Sequence, residues 1–139
     1  MTNNVTASSR RVRAARVTAQ PYSTRASDKR RAQTSAHNVV KFLREKLGLT
    51  LTAQLADVNA RTVTRWIANQ ARPREEAEKR LRAAYQIFMI LEKEEAPPTV
   101  RAWFMGMNEQ LDDLTPTEAI ALGREKDALV AARAFVAYG

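Results

Sequence analysis

The chain lacks cysteine and has little histidine or glycine. None of its 139 residues is cysteine, one is histidine and four are glycine. The absence of cysteine excludes disulfides and thiolate metal sites, and it favours the reducing cytoplasm as the compartment. The sequence also has no glycine-rich phosphate loop and no paired carboxylates in an apolar setting. We therefore predict that the protein is not an enzyme and binds neither a metal nor a cofactor.

Long apolar runs and alternating patterns are missing as well. Stretches such as "IFMIL", residues 87–91, are far too short to cross a bilayer, and the N-terminus lacks the apolar segment of a signal peptide. No run alternates apolar and polar residues for long, although 45% of the residues are hydrophobic. The sequence thus predicts an all-α cytoplasmic protein that does not contact a membrane.

The charge is unevenly distributed along the chain. The net charge is +8, and residues 1–36 alone hold eight basic residues and one acidic residue. Residues 59–82 hold seven basic and three acidic residues, whereas residues 92–139 hold five basic and nine acidic residues. A cationic surface of this kind concentrates polyanions, which favours double-stranded DNA as a partner of the front part.

Residues 1–36 are rich in Ser, Thr, Ala and Arg, and their few apolar residues share no period. Such a segment buries too little surface to offset the entropy of ordering, so we predict a disordered basic arm. Three roles stay open for it: contact with DNA phosphates or a groove, a solvated tail without a role, or an organelle transit peptide.

From residue 37 the apolar residues recur at helical spacing. His37 opens the first helix, Gly48 ends it, and Thr50 or Thr52 caps a short second helix that reaches Asp57. Asn59 caps a third helix that ends near residue 69. A long helix follows with Pro73 in its first turn and ends at Pro97 and Pro98, which break it.

Behind the prolines we predict three shorter helical elements. Thr99 caps a helix that holds Trp103, Phe104 and Met107. Thr115 caps the next, with Pro116 and Glu118 in its first turn and Gly123 as its stop. A last amphipathic helix follows. We therefore divide the chain into an arm (1–36), a DNA-binding domain (37–96) and a small helical interaction domain (97–139).

The second and third helices fit the spacing of a helix-turn-helix. In such a unit a small residue of the first helix, an apolar residue after the turn and two apolar residues of the second helix are buried. Ala53, Val58, Val63 and Trp66 occupy those positions, and Asp57 stands in the turn where Gly is usual. Aspartate tolerates the left-handed conformation that such a turn needs.

The outward face of the third helix carries the predicted DNA contacts. Arginine can bond guanine in pairs and asparagine can bond adenine, while residues just past the helix meet phosphates. An ordinary solvated arginine face is the alternative. The predicted DNA-binding residues are Asn59, Arg61, Thr62, Thr64, Arg65, Asn69, Arg72 and Arg74.

The order of elements resembles the Xre/MbcA/ParS family of bacterial antitoxins. In the front half the resemblance lies in "ADVNARTVTRWIANQARP", with Arg61, Val63, Arg65, Trp66 and Pro73 at the family's typical places. In the back half it lies in Trp103, Asn108, Leu111, Pro116, Ile120 and Gly123, although Met107 stands where the family commonly has Pro. Together the two regions cover residues 37–139.

The resemblance implies a helix-turn-helix followed by a toxin-binding domain, with those six back-half residues as the partner-binding set. It also implies an NAD-consuming RES-domain toxin as partner, which the C-terminal region neutralises near the active site. Self-association into a homo-oligomer and repression of the protein's own operon are implied too. The alternative is a stand-alone transcriptional or phage-type regulator whose back half serves oligomerisation.

Overall fold

A computed structural model of the chain describes residues 34–138. These residues form seven helices and one 3-10 turn, and no strand occurs among them: α1 (Ala36–Leu47), α2 (Leu49–Ala56), α3 (Ala60–Ile67), α4 (Glu75–Leu91), α5 (Pro97–Met105), the 3-10 turn (Glu109–Leu111), α6 (Pro116–Ala121) and α7 (Glu125–Tyr138). The predicted all-α class is confirmed. Residues 1–33 of the predicted disordered arm lie outside the described residues. None of the described helices is long and apolar enough to cross a membrane.

The junction of α1 and α2 depends on one glycine. Gly48 has φ 95° and ψ 163°, a conformation that residues with a Cβ rarely adopt, and its N–H donates to the Arg44 carbonyl at the end of α1. Gly48 is also the N-cap of α2, so the predicted caps Thr50 and Thr52 are wrong. Thr52 is instead buried inside α2, where its hydroxyl donates to the Gly48 carbonyl at 2.8 Å.

The prolines act differently from the prediction. Pro73 precedes α4, which begins at Glu75, so it is not in the first helical turn. Helix α4 ends at Leu91 and not at Pro97 and Pro98, which instead form the first turn of α5 with Ala96 as its N-cap. The first N–H groups of a helix have no intrahelical partner, so proline loses nothing there. Met107 lies beyond the end of α5, and Thr99 lies within it.

The start of α6 follows the predicted pattern. The Thr115 hydroxyl accepts a hydrogen bond from the Glu118 N–H, and the Glu118 carboxylate accepts one from the Thr115 N–H. This reciprocal capping box satisfies two N–H groups at the start of a short helix. Gly123 follows the helix with φ 88°, and the N–H of Arg124 donates to the Ala119 carbonyl at 2.8 Å. The predicted cap and stop are therefore confirmed.

Helix α4 lies at the centre of the core. Its buried stripe packs against α1 and α2 on the front side and against α7 and α6 on the back side. The shared core contains Leu43 and Leu55 from the front, Phe88 from α4, and Phe104 and Ala132 from the back, each essentially inaccessible to solvent. From Ser35 onward the described residues thus pack as one unit.

A polar contact also joins the front and back parts. The Nε of Arg101 on α5 donates to the Leu47 carbonyl at 3.2 Å, which satisfies a free carbonyl in the last turn of α1. The residues before and after residue 96 share one core. The predicted division there therefore stays a prediction about function.

The turn between α2 and α3 places a non-glycine residue in the left-handed region. Asp57 has φ 60° and ψ 48°. Its N–H donates to the Gln54 carbonyl at 3.1 Å, and the N–H of Val58 donates to the Ala53 carbonyl at 3.0 Å. These two bonds form a Schellman motif, in which glycine normally fills the left-handed position. The turn therefore has the form predicted for a helix-turn-helix.

We expect Asp57→Gly to stabilise the protein and Asp57→Ala to destabilise it. Glycine adopts a positive φ without strain and removes a negative charge from the C-terminal end of α2, for a gain of about 0.5–1 kcal/mol. Alanine keeps the strain and loses the polar side chain, at a cost of about 1 kcal/mol. Urea unfolding of the three proteins measures both changes. A lower midpoint for Asp57→Gly would contradict this reading of the turn.

Candidate nucleic-acid interface

Helix α3 is held by its inner face. Val63 is fully buried and Trp66 is 4% exposed, and both belong to the main core. At the N-terminal side of the unit, His37 in the first turn of α1 bonds through its Nε2 to the Ile67 carbonyl at 2.9 Å. His37 thus links the start of α1 to the last turn of α3. The sequence predicted only its position at the start of a helix. The inner contacts fix which side of α3 faces solvent.

The outer face of α3 is polar and exposed. Arg61, Thr64, Arg65 and Asn69 are all exposed, and their spacing places them on one side of the helix. Neither Arg61 nor Arg65 forms an ion pair within the described residues, and both side chains are accessible to a partner. This side can present donors to base edges or phosphates.

Several predicted DNA contacts also have a structural role at the helix ends. The Oδ1 of Asn59 accepts hydrogen bonds from the N–H of Thr62 at 2.8 Å and from its hydroxyl at 2.9 Å. Asn69 has φ 61° just beyond α3, and the N–H of Gln70 donates to the Arg65 carbonyl at 2.9 Å. The Thr64 hydroxyl donates to the Ala60 carbonyl at 3.2 Å. Asn59 thus caps the start of α3, and Asn69 supplies the left-handed residue directly after its C-cap, Ala68.

A cleft of about 360 Å³ separates α3 from the start of α4. Arg72 and Arg74, which lie exposed in the connecting segment, line it together with Arg65 from α3. Arg80 of α4, which is not among the predicted DNA contacts, also lines this cleft. In the sequence, Arg80 could be recognised only as a basic residue directly before Leu81 of the buried stripe. A long side chain at such a place can lie across the helix surface.

The six predicted partner-binding residues fall into two groups. Leu111, Pro116 and Ile120 are buried, so they pack inside the fold. Trp103 and Asn108 are half-buried, and Gly123 is exposed. The Trp103 ring packs 6.5 Å from that of Phe135 on α7 and lies against the cluster of Leu111, Ala119 and Ala131. Partner binding by this set stays a prediction, with direct contact limited to its accessible members.

Three exposed apolar side chains at the ends of α5 and α6 are not among the predicted partner-binding residues. Met105 at the end of α5 is 49% exposed, Met107 just after it is 77% exposed, and Leu122 directly after α6 is 68% exposed. Methionine is common on surfaces that bind proteins. Nearby, Arg124 bonds Asp127 at 3.0 Å and Asp112 at 3.2 Å, and the hydrogen bond to Asp127 raises the pKa of the Arg124 guanidinium further.

The comparison with solved structures identifies the fold. This fold is similar to that of a chain in the M. tuberculosis MbcT–MbcA toxin–antitoxin complex. The similarity has a TM-score of 0.62 and 21% sequence identity, and it covers 76% of this chain and 96% of that chain. A scan against protein-family models finds no match, and a search of curated proteins finds none either. The likeness is therefore one of fold, and it extends over nearly all of the solved chain.

Asn59 caps α3 and also lies on the predicted DNA face. Mutation can separate these two roles. Aspartate is as good a cap as asparagine and suits the positive end of the helix, so we expect Asn59→Asp to keep the unfolding free energy. The new negative charge should nevertheless weaken duplex binding by roughly tenfold. Asn59→Ala should instead cost about 1 kcal/mol of stability.

Asn108→Asp, the same substitution at the cap of the 3-10 turn, serves as the matched control, because the Oδ1 of Asn108 likewise accepts a backbone N–H, that of Gln110. It adds the same charge to the protein away from α3, so duplex binding should change little. Fluorescence anisotropy with a labelled duplex and thermal unfolding give the two readouts. Equal duplex affinity for wild type and Asn59→Asp would remove residue 59 from the interface.

Proposed function

We propose that the protein is a DNA-binding antitoxin that neutralises a RES-type, NAD-consuming toxin and represses its own operon. The observation that carries the proposal is the fold similarity to a chain of a toxin–antitoxin complex, which covers 96% of that chain. In this proposal the chain acts by binding and not by catalysis. Its partners are double-stranded DNA, the toxin and further copies of itself.

The DNA part of the proposal rests on the surface of α3. Three features combine there: a tight turn that sets the helix, an inner face fixed by Val63 and Trp66, and an outer face with Arg61 and Arg65 exposed. Arg72 and Arg74 extend the positive charge beyond the end of the helix. Such a helix places its N-terminal residues in the major groove while flanking arginines meet phosphates.

The toxin part rests on the opposite character of the back half. Residues 92–139 hold five basic and nine acidic residues, and DNA would repel the resulting net negative charge. The exposed Met105, Met107 and Leu122 add apolar area to this half of the chain, which also holds the half-buried Trp103. Methionine and aromatic residues are enriched in protein interfaces, where charged residues are depleted at the centre. An acidic half with exposed apolar side chains therefore favours a protein partner.

Replacement of Arg61 or Arg65 by Ala tests the DNA surface. Each change should cost about 1–3 kcal/mol of binding free energy at the preferred duplex if the guanidinium pairs with a guanine, and should relax the preference for that base. Arg133→Ala is the matched control, because Arg133 is exposed on α7 and the same charge is lost. Affinities come from anisotropy at fixed salt. Losses no larger than that of Arg133→Ala would contradict the assigned surface.

Co-expression with a RES-domain toxin tests the antitoxin function. We expect the full chain to restore growth and cellular NAD and to co-purify with the toxin. The Arg61→Ala, Arg65→Ala double variant should still protect, because neutralisation does not need the DNA face. Failure of the wild-type chain both to protect and to co-purify would contradict the antitoxin function. If such a chain still repressed its own promoter, it would be a stand-alone regulator.

A further inference from the structure

Four arginines line the cleft between α3 and α4. Arg65, Arg72, Arg74 and Arg80 surround it, whereas Asp57 and Glu76 are its acidic residues. The two carboxylates leave an excess of two positive charges in a volume of about 360 Å³. Trp66 forms part of an apolar wall. Low-dielectric walls strengthen the field of the charges that they enclose.

Arg80 occupies an unusual position in this cleft. Its Nε is buried and has no hydrogen-bond partner. Arg80 forms no ion pair within residues 34–138, even though Glu76 precedes it by one helical turn. Its neighbour Arg82, by contrast, donates from Nε to Glu78 at 2.8 Å. A buried donor without an acceptor is unfavourable, so this guanidinium is arranged for an acceptor that comes from outside the chain.

The chemistry of that acceptor follows from the donors. The terminal nitrogens of a guanidinium form a planar fork whose geometry matches two oxygens of a phosphate. The cleft opens beside Arg65 on α3 and beside Arg72 and Arg74, which border the proposed DNA surface. A phosphate that enters from that side belongs to the strand that α3 contacts.

We propose that this cleft binds one backbone phosphate of the DNA, with Arg80 as the inner ligand and Arg72 and Arg74 at the rim. The proposal rests on the DNA binding proposed above and adds a residue from outside the helix-turn-helix. A phosphate held between α3 and α4 fixes how deeply and in which direction α3 enters the groove. Arg80 thereby contributes to affinity for every DNA sequence and does not read bases.

Arg80→Met and Arg80→Lys test the cleft in the full chain. Methionine keeps an apolar stem and removes the unsatisfied donor, so the free protein should melt at or above the wild-type temperature. Its affinity for specific and unrelated duplexes should fall by about tenfold alike, and the slope of log Kd against log salt should fall by about one. Lysine keeps the charge without the fork and should recover the slope but not the full affinity.

Lys79→Met is the matched control, because Lys79 is exposed on the same helix outside the cleft. If wild type binds duplex while Arg80→Met binds no more weakly than Lys79→Met, the cleft proposal is wrong and DNA binding by α3 stands. A titration of the wild-type protein with inorganic phosphate, followed by the NMR signal of the Arg80 Nε–H, separates the sources of phosphate. A response to free phosphate without any duplex binding would overturn both the backbone assignment and the DNA surface.

Discussion

The structure depends on the burial of α4 from two sides. Its stripe of Leu81, Ala84, Phe88 and Leu91 is almost completely inaccessible, and helices from both the front and the back of the chain cover it. Small residues make this possible, since α4 and α7 both place buried alanines in the core and the two helix axes can approach closely. Helix α3 has only eight residues and would not be stable alone. It packs against α1 and α2, which cover the front side of α4, so its position depends on α4 indirectly.

The ends of α3 are set by short polar residues and not by glycine. Asp57 and Asn69 adopt positive φ on either side of the helix, and Asn59 caps its first turn. Aspartate and asparagine accept the left-handed conformation at a smaller cost than other residues with a Cβ. The same side chains lie next to the predicted DNA face, so that local backbone geometry and the polarity of the surface come from the same residues.

The parts of the fold that follow from local chemistry could be predicted from the sequence. The helical period placed Val63 and Trp66 inside, and side-chain chemistry placed caps at Asn59 and Thr115. Pro97 and Pro98 were misjudged because proline is compatible both with the end of one helix and with the start of the next. The interval between α4 and α5 is short, so the pattern alone did not separate the two cases.

The candidate site was less predictable, because its residues are defined by neighbours distant in sequence. Leu111 and Ile120 match a partner-binding pattern and are nevertheless fully buried. Apolar residues in a core and in an interface look alike in a sequence, and only the packing tells them apart. Arg80 shows the reverse case, since a basic residue in a long helix looks solvated until the cleft beside α3 is seen.

Direct packing links the two proposed binding surfaces. Helix α6, which lies next to the exposed Leu122, packs against α2, and α2 ends in the turn that orients α3. Leu51 and Gln54 of α2 line a second cleft of about 520 Å³ together with Thr117 and Glu118 of α6. Helix α3 in turn packs against α2, so one series of helix contacts joins the two proposed surfaces without including α4.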